Sequence, residues 1–102
     1  MPRPLGITSL QILAAIRDGV SYGLELVTET GLPSGTVYPT LGRMKSKGLV
    51  QARWEDGRIA DEERRPRRRY YTLTPAGADA LAEGAARHRS VAASLAPKTE
   101  GA

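Results

Sequence analysis

Arginine supplies most of the chemistry that this chain can offer. Twelve of its fifteen cationic residues are Arg, and five of them fall between positions 64 and 69, directly after the acidic run Asp61–Glu63. A guanidinium group makes planar, bidentate contacts with phosphates and guanine edges, although a GC-rich genome would produce the same bias. The net charge of +4 and the isoelectric point near 9.9 also favour a polyanionic partner.

A second polar set lies on a predicted helix over residues 34–47. On a wheel of about 100° per residue, one narrow stripe is apolar and predicts the buried face: Val37, Leu41, Met44 and Gly48. Another arc, about a quarter-turn away, carries hydroxyls and cations: Thr36, Thr40, Arg43 and Lys47. Ser34 or Thr36 can cap this helix, and Gly48 is a typical residue to end it.

These polar residues suit a helix that enters the major groove of DNA. The fork of Arg43 fits guanine O6 and N7, whereas Thr36 and Thr40 could bond a base or a phosphate. Ser34 and the free N–H groups at the helix N-terminus could hold a phosphate oxygen. The alternative is that Arg43 and Lys47 only solvate a surface helix.

The elements that must position these residues follow from caps and periodicity. Thr8 with Gln11 predicts a capped first helix over 9–18, and Ser21 predicts the cap of a short second helix that ends before 31–35. After Gly48 the hydrophobic period becomes two, which predicts strands at 50–54 and 68–74. We expect Trp54 and Tyr71 to be core residues of this small sheet; the alternative is that they line a small-molecule pocket.

Thr74 and Pro75 then form an N-cap and first-turn proline, which predicts a last helix of about 20 residues, up to Ala96. The order α-α-α-β-β-α is that of a winged helix-turn-helix, a mainly α fold with a small β-hairpin. Its basic loop is the wing, whose Arg64, Arg65 and Arg67 we expect to reach the minor groove or its phosphates. We expect Arg69 to be packed or paired, and the acidic run to hold the arginines when DNA is absent.

The last helix predicts a homodimer. Leu81, His88 and Leu95 recur at intervals of seven, as in a short coiled-coil seam, and small residues fill the positions between them: Gly84, Ala85, Val91 and Ala92. The alternative is that this helix packs on the first helix of its own chain, and we expect parts of both, with the early turns docking and the later turns pairing. The predicted organisation is a DNA-binding domain over 1–74, a dimerisation helix over 75–96 and a disordered tail over 97–102.

Composition excludes several other classes of function. The chain has no Cys and a single His, so we expect no metal, no cofactor and no catalytic dyad, and therefore no enzyme. It has neither a signal peptide nor an apolar run long enough for a membrane span, which predicts a cytoplasmic protein. Two rivals to DNA binding are a winged helix for protein contacts and an RNA-binding module, but the latter lacks an aromatic platform.

Three segments resemble the PadR family of bacterial transcriptional regulators: YGLEL (22–26), SGTVYPTLGRMKSKGLV (34–50) and RPRRRYYTLTPAG (65–77). The resemblance implies a cytoplasmic winged-helix repressor that dimerises through its C-terminal helix and binds a palindromic operator. It also places Tyr22, Thr36, Tyr38 and Pro39 near DNA. The wing here departs from the family by an insertion around 59–63. Some members have a C-terminal-helix Trp that lines a drug pocket; this helix has none, and a small-molecule effector stays unknown.

Overall fold

The structure of the chain is a computed structural model that describes residues 5–88. Three helices come first: α1 (Ile7–Arg17), α2 (Gly23–Thr30) and α3 (Ser34–Ser46). They are followed by β1 (Val50–Trp54), α4 (Gly57–Glu62), β2 (Arg69–Leu73) and α5 (Pro75–Arg87). This is a mainly helical fold with a two-stranded antiparallel hairpin, which confirms the predicted winged helix-turn-helix.

The core is aliphatic, because the chain has no Phe. Helix α1 lies at its centre and contacts α2, α3, α5 and β2. Val37, Leu41 and Met44 are buried, so the apolar stripe predicted for α3 is confirmed at these three positions. Gly48 is exposed instead, and its φ of +75° ends the helix in the left-handed conformation that glycine adopts readily.

The hairpin is tied to the start of α2. Its strands pair from Val50 with Leu73 to Trp54 with Arg69. The backbone N–H of Tyr71 donates to the carbonyl of Ser21 at 2.7 Å, and Tyr22 forms an isolated antiparallel bridge with Tyr70. The segment before α2 therefore acts as a third, very short strand, which fixes the wing relative to the helices.

Three predicted helix caps are wrong. Helix α1 starts after Gly6, and Thr8 lies inside its first turn. Helix α2 starts after Tyr22; Ser21 contributes only a backbone N–H, which donates to Glu25 Oε1 at 3.0 Å. Helix α3 starts after Pro33, which is the N-cap residue in extended conformation, so that Ser34 and Thr36 both lie inside the helix and neither caps it.

The segment predicted as a polar loop contains a helix. Asp56 begins α4, because its Oδ1 accepts the N–H of Arg58 at 2.9 Å, and Ala60 anchors α4 by being buried. The element order is therefore α-α-α-β-α-β-α. Tyr71 is buried as expected, but Trp54 is 56% exposed, because β1 extends past the core at that end.

Helix α5 begins as predicted. The Thr74 hydroxyl accepts the N–H of Gly77 at 3.0 Å and donates to the Gly48 carbonyl at 2.6 Å, which links α5 to the end of α3. The described part of α5 ends at Arg87, and the predicted continuation to 96 and the tail over 97–102 lie outside the described residues. No helix within residues 5–88 is long and apolar enough to cross a membrane.

Helix α5 packs on α1, as expected for its early turns. Leu81 is buried in the core, and a Cβ atom at Gly84 would clash with the side chain of Leu10. The expectation that Leu81 and Gly84 line a seam between subunits is wrong, because both are used inside the chain. Ala85 packs partly on the same core, and His88 is half-buried at the C-cap.

Two glycines test how α5 packs against Leu49, which lies between α3 and β1. A Cβ atom at Gly77 would clash with the backbone carbonyl of Leu49, which cannot rotate away, whereas one at Gly42 meets nothing within 4 Å. We expect Gly77→Ala to lower the free energy of unfolding by about 1–3 kcal/mol. Gly42→Ala, at an exposed position in the middle of α3, should raise the free energy of unfolding by about 0.5–1 kcal/mol. Urea unfolding of both variants is the measurement, and equal stabilities would contradict this packing.

Candidate nucleic-acid interface

The solvent-facing side of α3 carries most of the residues predicted to contact DNA. Thr36 is half-buried, and the others on this helix are exposed: Ser34, Tyr38, Pro39, Arg43 and Lys47. No side chain caps the N-terminus of this helix. The Thr36 N–H donates to the Pro33 carbonyl at 2.9 Å, and the N–H groups of Ser34 and Gly35 before it can meet an anion.

Thr40 differs from the sequence prediction. It is 1% exposed, and its hydroxyl donates to the Thr36 carbonyl at 2.6 Å. The wheel placed Thr40 on the polar arc, but the buried face of α3 is wider than the predicted stripe and includes it. Its oxygen also accepts from Arg43 Nη2 at 3.0 Å, so Thr40 orients Arg43 and cannot itself reach a ligand.

Tyr38 has a fixed place at the start of α2. It is 49% exposed, and its ring lies so close to Gly23 that a Cβ atom there would clash with it. Gly23 therefore leaves the space that the tyrosine occupies. Wheel geometry gave no role for Tyr38, and its proximity to Tyr22 and the wing is a tertiary feature.

Tyr22 connects α2 to the wing through its ring. The ring meets that of Tyr70 edge-on, with centroids 5.9 Å apart and planes at 82°. The guanidinium of Arg68 lies 4.2 Å from the centroid of Tyr22, a cation–π distance. The half-buried ring of Tyr22 thus contacts the side chain of Arg68 just before β2.

A buried carboxylate that the sequence did not reveal organises the wing. Glu55 is 4% exposed and accepts from Arg65 Nη1 at 2.7 Å and Nη2 at 2.8 Å. It also accepts from the Tyr70 hydroxyl at 3.2 Å and the Arg68 N–H at 3.3 Å. Alternation with Val50, Ala52 and Trp54 indicates an exposed position for Glu55, and no local signal distinguishes it from the other acids.

These bonds set the charge state of the pair. The hydrogen bonds from Arg65 are the main reason that the pKa of Glu55 is lowered to about 2. The Arg68 N–H and the Tyr70 hydroxyl lower this pKa further, whereas burial of the carboxylate opposes the shift. The same contact raises the pKa of Arg65. Both groups are therefore ionised at every physiological pH.

Arg65 is for this reason not the free cation that the sequence suggested. Besides Glu55 it bonds Glu63, with Nε to Oε2 at 2.6 Å, so that the wing itself neutralises its charge. Within residues 5–88, Glu63 is also the sole member of the acidic run that pairs with an arginine. The expected acidic support thus exists for Arg65, but its main partner is Glu55.

Four other wing arginines have no carboxylate partner among the described residues. The Arg67 Nε donates to the Glu55 carbonyl at 2.9 Å, and the guanidinium groups of Arg67 and Arg69 lie 5.8 and 5.3 Å from the Trp54 ring centroid. Arg68 lies on Tyr22. Arg64 is exposed, in the left-handed conformation with φ of +54°. Their charge is available to an anion.

A cleft of about 610 Å³ brings the two regions together. It lies between the start of α2, Tyr38 of α3 and the wing, where Trp54 and the segment Arg65–Arg69 form one wall. Of the predicted site residues, the cleft joins Tyr22, Tyr38, Arg65 and Arg67; Arg43 and Lys47 lie elsewhere on α3. No group of three or more His, Asp or Glu side chains that could hold a metal occurs in the part of the chain described here.

Comparison with known proteins identifies this arrangement. The sequence profile of the transcriptional regulator PadR-like family matches residues 12–83, from α1 into α5. The chain belongs to the PadR-like family. PadR-like proteins are transcriptional regulators that bind DNA and are not enzymes.

Solved structures agree with this assignment. A PadR family regulator from Clostridium difficile is 27% identical, with a TM-score of 0.72 over 86% of this chain and 93% of its own. A PadR-like regulator from Bacillus cereus is also 27% identical, with a TM-score of 0.66 over 88% of each chain. BpsR of Bordetella bronchiseptica, a protein whose DNA binding 6-hydroxynicotinic acid regulates, shares the fold at 23% identity and a TM-score of 0.70, over 93% of this chain and 68% of its own. A comparison with curated proteins finds no match.

The Glu55–Arg65 pair gives this PadR-like chain a defined acid sensitivity. Because the pKa of Glu55 falls from 4.5 to about 2 on folding, its stabilisation is complete above about pH 5 and is lost as the pH falls towards 2. We expect Glu55→Gln to lower the Tm at pH 7 by about 5 °C or more. This deficit should shrink between pH 4.5 and 2.5 in thermal melts. The control is Glu83→Gln, which loses only an exposed pair with Arg87; a Glu55→Gln deficit independent of pH would contradict this assignment.

Proposed function

We propose that this PadR-like chain binds double-stranded DNA sequence-specifically, as a dimeric repressor of a palindromic operator. The observation that carries the proposal is the cleft in which Tyr38 of α3 meets Arg67 and Arg68 of the wing. One surface thus combines a helix that would fit the major groove with cations that have no carboxylate partner among the described residues. The proposed DNA-binding domain covers residues 1–74.

Helix α3 would lie in the major groove. Arg43 is the proposed base contact, because Thr40 holds its guanidinium from one side and leaves the rest of the fork exposed. Ser34, Thr36, Pro39 and Lys47 would lie close to the backbone of the DNA. Tyr22 and Tyr38 would direct their hydroxyls to phosphates at the edge of the cleft.

The wing would bind the neighbouring backbone or minor groove. Arg64, Arg67 and Arg68 are the proposed phosphate contacts, since none of them is neutralised by a carboxylate within residues 5–88. Arg65 would act by positioning: its bonds to Glu55 hold the returning strand in place. Arg65 therefore supports the interface from inside the wing.

The proposed dimer rests on the C-terminal helix, over residues 75–96. Because Leu81 and Gly84 are used within the chain, the proposed seam shifts towards Ala85 and His88. It continues through Val91, Ala92 and Leu95, which lie outside the described residues. A two-fold dimer would place two copies of α3 about 34 Å apart, one turn of DNA, and would thus require a palindrome. Repression would follow where the operator overlaps a promoter, because the bound dimer excludes the polymerase.

Selection from a random duplex pool tests sequence-specific binding. We expect a palindromic sequence to be enriched, and Arg43→Ala to bind it with a loss of about 1–3 kcal/mol and no preference at one base pair per half-site. Thr40→Val is the companion variant, since it keeps the core volume and removes the oxygen that orients Arg43. An unenriched pool would contradict DNA recognition and favour a protein-contact module. Unchanged base preference in Arg43→Ala would contradict the role of Arg43 alone.

Leu95→Glu tests the dimer. A carboxylate in the proposed seam would have to be desolvated on pairing, so we expect a folded monomer at micromolar concentration. Its operator affinity should fall at least about tenfold, because each half-site contact contributes to binding by the dimer. Sedimentation and operator binding are the measurements. A Leu95→Glu dimer with full affinity would show that the subunits pair elsewhere.

A further inference from the structure

Trp54 is the one tryptophan of the chain, and its position is unusual for that residue type. It lies at the end of β1 with 56% of its surface exposed, on the wall of the cleft. Leu24 and Tyr38 are exposed and line the same cleft, so Trp54 belongs to a group of exposed apolar side chains, and such groups commonly mark an interaction site. Its role in the packing of the hairpin does not account for this exposure, because the buried ring of the hairpin is Tyr71.

Two arginines lie over the indole ring of Trp54. Arg69 is the cross-strand partner of Trp54, and its guanidinium lies 5.3 Å from the ring centroid. Arg67 lies 5.8 Å from the same centroid and is fixed by its bond to the Glu55 carbonyl. The exposed ring therefore lies beside two positive charges.

Neither of these charges is neutralised within residues 5–88. Arg67 and Arg69 form no ion pair there, and Arg69 Nε is buried without a hydrogen-bond partner. An anion close to the guanidinium would offset the cost of this burial. A second copy of the chain is a poor occupant of the patch, because it would bring the same arginines against each other.

We propose that Trp54, flanked by Arg67 and Arg69, is an apolar contact to DNA. This inference rests on the proposed function. It adds Trp54, an uncharged residue, to the charged residues already proposed to contact DNA. The ring would pack on deoxyribose and base edges in the minor groove beside the half-site, while the two guanidinium groups bind the flanking phosphates. DNA is the occupant because it offers apolar sugar faces between closely spaced anions.

The salt dependence of binding distinguishes such an apolar contact from a contact to phosphate. Phosphate contacts release counterions, so their loss flattens the dependence of the binding constant on salt. An indole on a sugar face releases no counterion. Removal of the ring should therefore weaken binding at every salt concentration and leave the slope unchanged.

Trp54→Ala is the test, with binding of labelled operator measured between 50 and 300 mM salt. We expect affinity to fall about tenfold with an unchanged slope, and Trp54→Phe to restore part of the loss. Ile59→Ala is the matched control, because Ile59 is an exposed apolar residue of α4 that does not line the cleft. Since Trp54 is largely exposed, thermal melts should show both variants folded.

The intrinsic fluorescence of the wild-type chain is a direct second readout, because all of its tryptophan emission comes from Trp54. We expect operator to shift or quench this emission and to protect the ring from acrylamide. Operator binding without either effect, or with full affinity in Trp54→Ala, would overturn the inference and leave the proposed function intact. Loss of self-association in Trp54→Ala would also overturn it, by assigning the ring to a subunit contact. Failure of any duplex to bind would contradict the proposed function itself.

Discussion

The buried ion pair between Glu55 and Arg65 is the contact on which the wing depends. Glu55 bonds the guanidinium of Arg65, the hydroxyl of Tyr70 and the N–H of Arg68, and its own N–H donates to the Arg68 carbonyl at 2.8 Å. One carboxylate thus joins the end of β1 to the segment that leads into β2. A buried pair of this kind tolerates the loss of neither partner, because the remaining charge would be left without compensation.

The pair also divides the arginine run by function. Arg65 is neutralised inside the wing, whereas Arg67, Arg68 and Arg69 rest on aromatic rings and keep their charge for a ligand. A guanidinium stacked on a ring keeps in-plane N–H groups that a phosphate can use. Three aromatic rings, Tyr22, Trp54 and Tyr70, therefore support cations, whereas Tyr71 belongs to the otherwise aliphatic core.

Periodic and local signals predicted much of the fold. The apolar stripe of α3, the end of that helix at Gly48, and the start of α5 at Thr74 and Pro75 each depend on neighbours in sequence. The predicted caps failed because α1, α2 and α3 start after Gly6, Tyr22 and Pro33, none of which caps its helix with a side chain. Trp54 could not be placed because the alternation along a strand does not indicate where the core ends.

Some site residues could likewise be predicted from local sequence patterns, whereas others depend on tertiary contacts. The exposure of Arg43 and Lys47 follows from helical periodicity alone. The burial of Thr40 depends on how closely α3 approaches its neighbours. The role of Arg65 depends on a partner ten residues away across a segment that folds as α4, and no local pattern indicates that pairing. The proposed dimer seam at Val91, Ala92 and Leu95 lies outside residues 5–88 and stays a prediction.

The most direct measurement of the central claim is the salt dependence of operator binding. If the wing presents free arginines to phosphates, the binding constant should fall steeply with salt, and Arg64→Ala combined with Arg68→Ala should reduce the log–log slope by about two. Arg58→Ala should leave that slope unchanged, because Asp56 already pairs with this arginine. A slope that is the same in all three proteins would contradict the account, since the wing would then bind no phosphate.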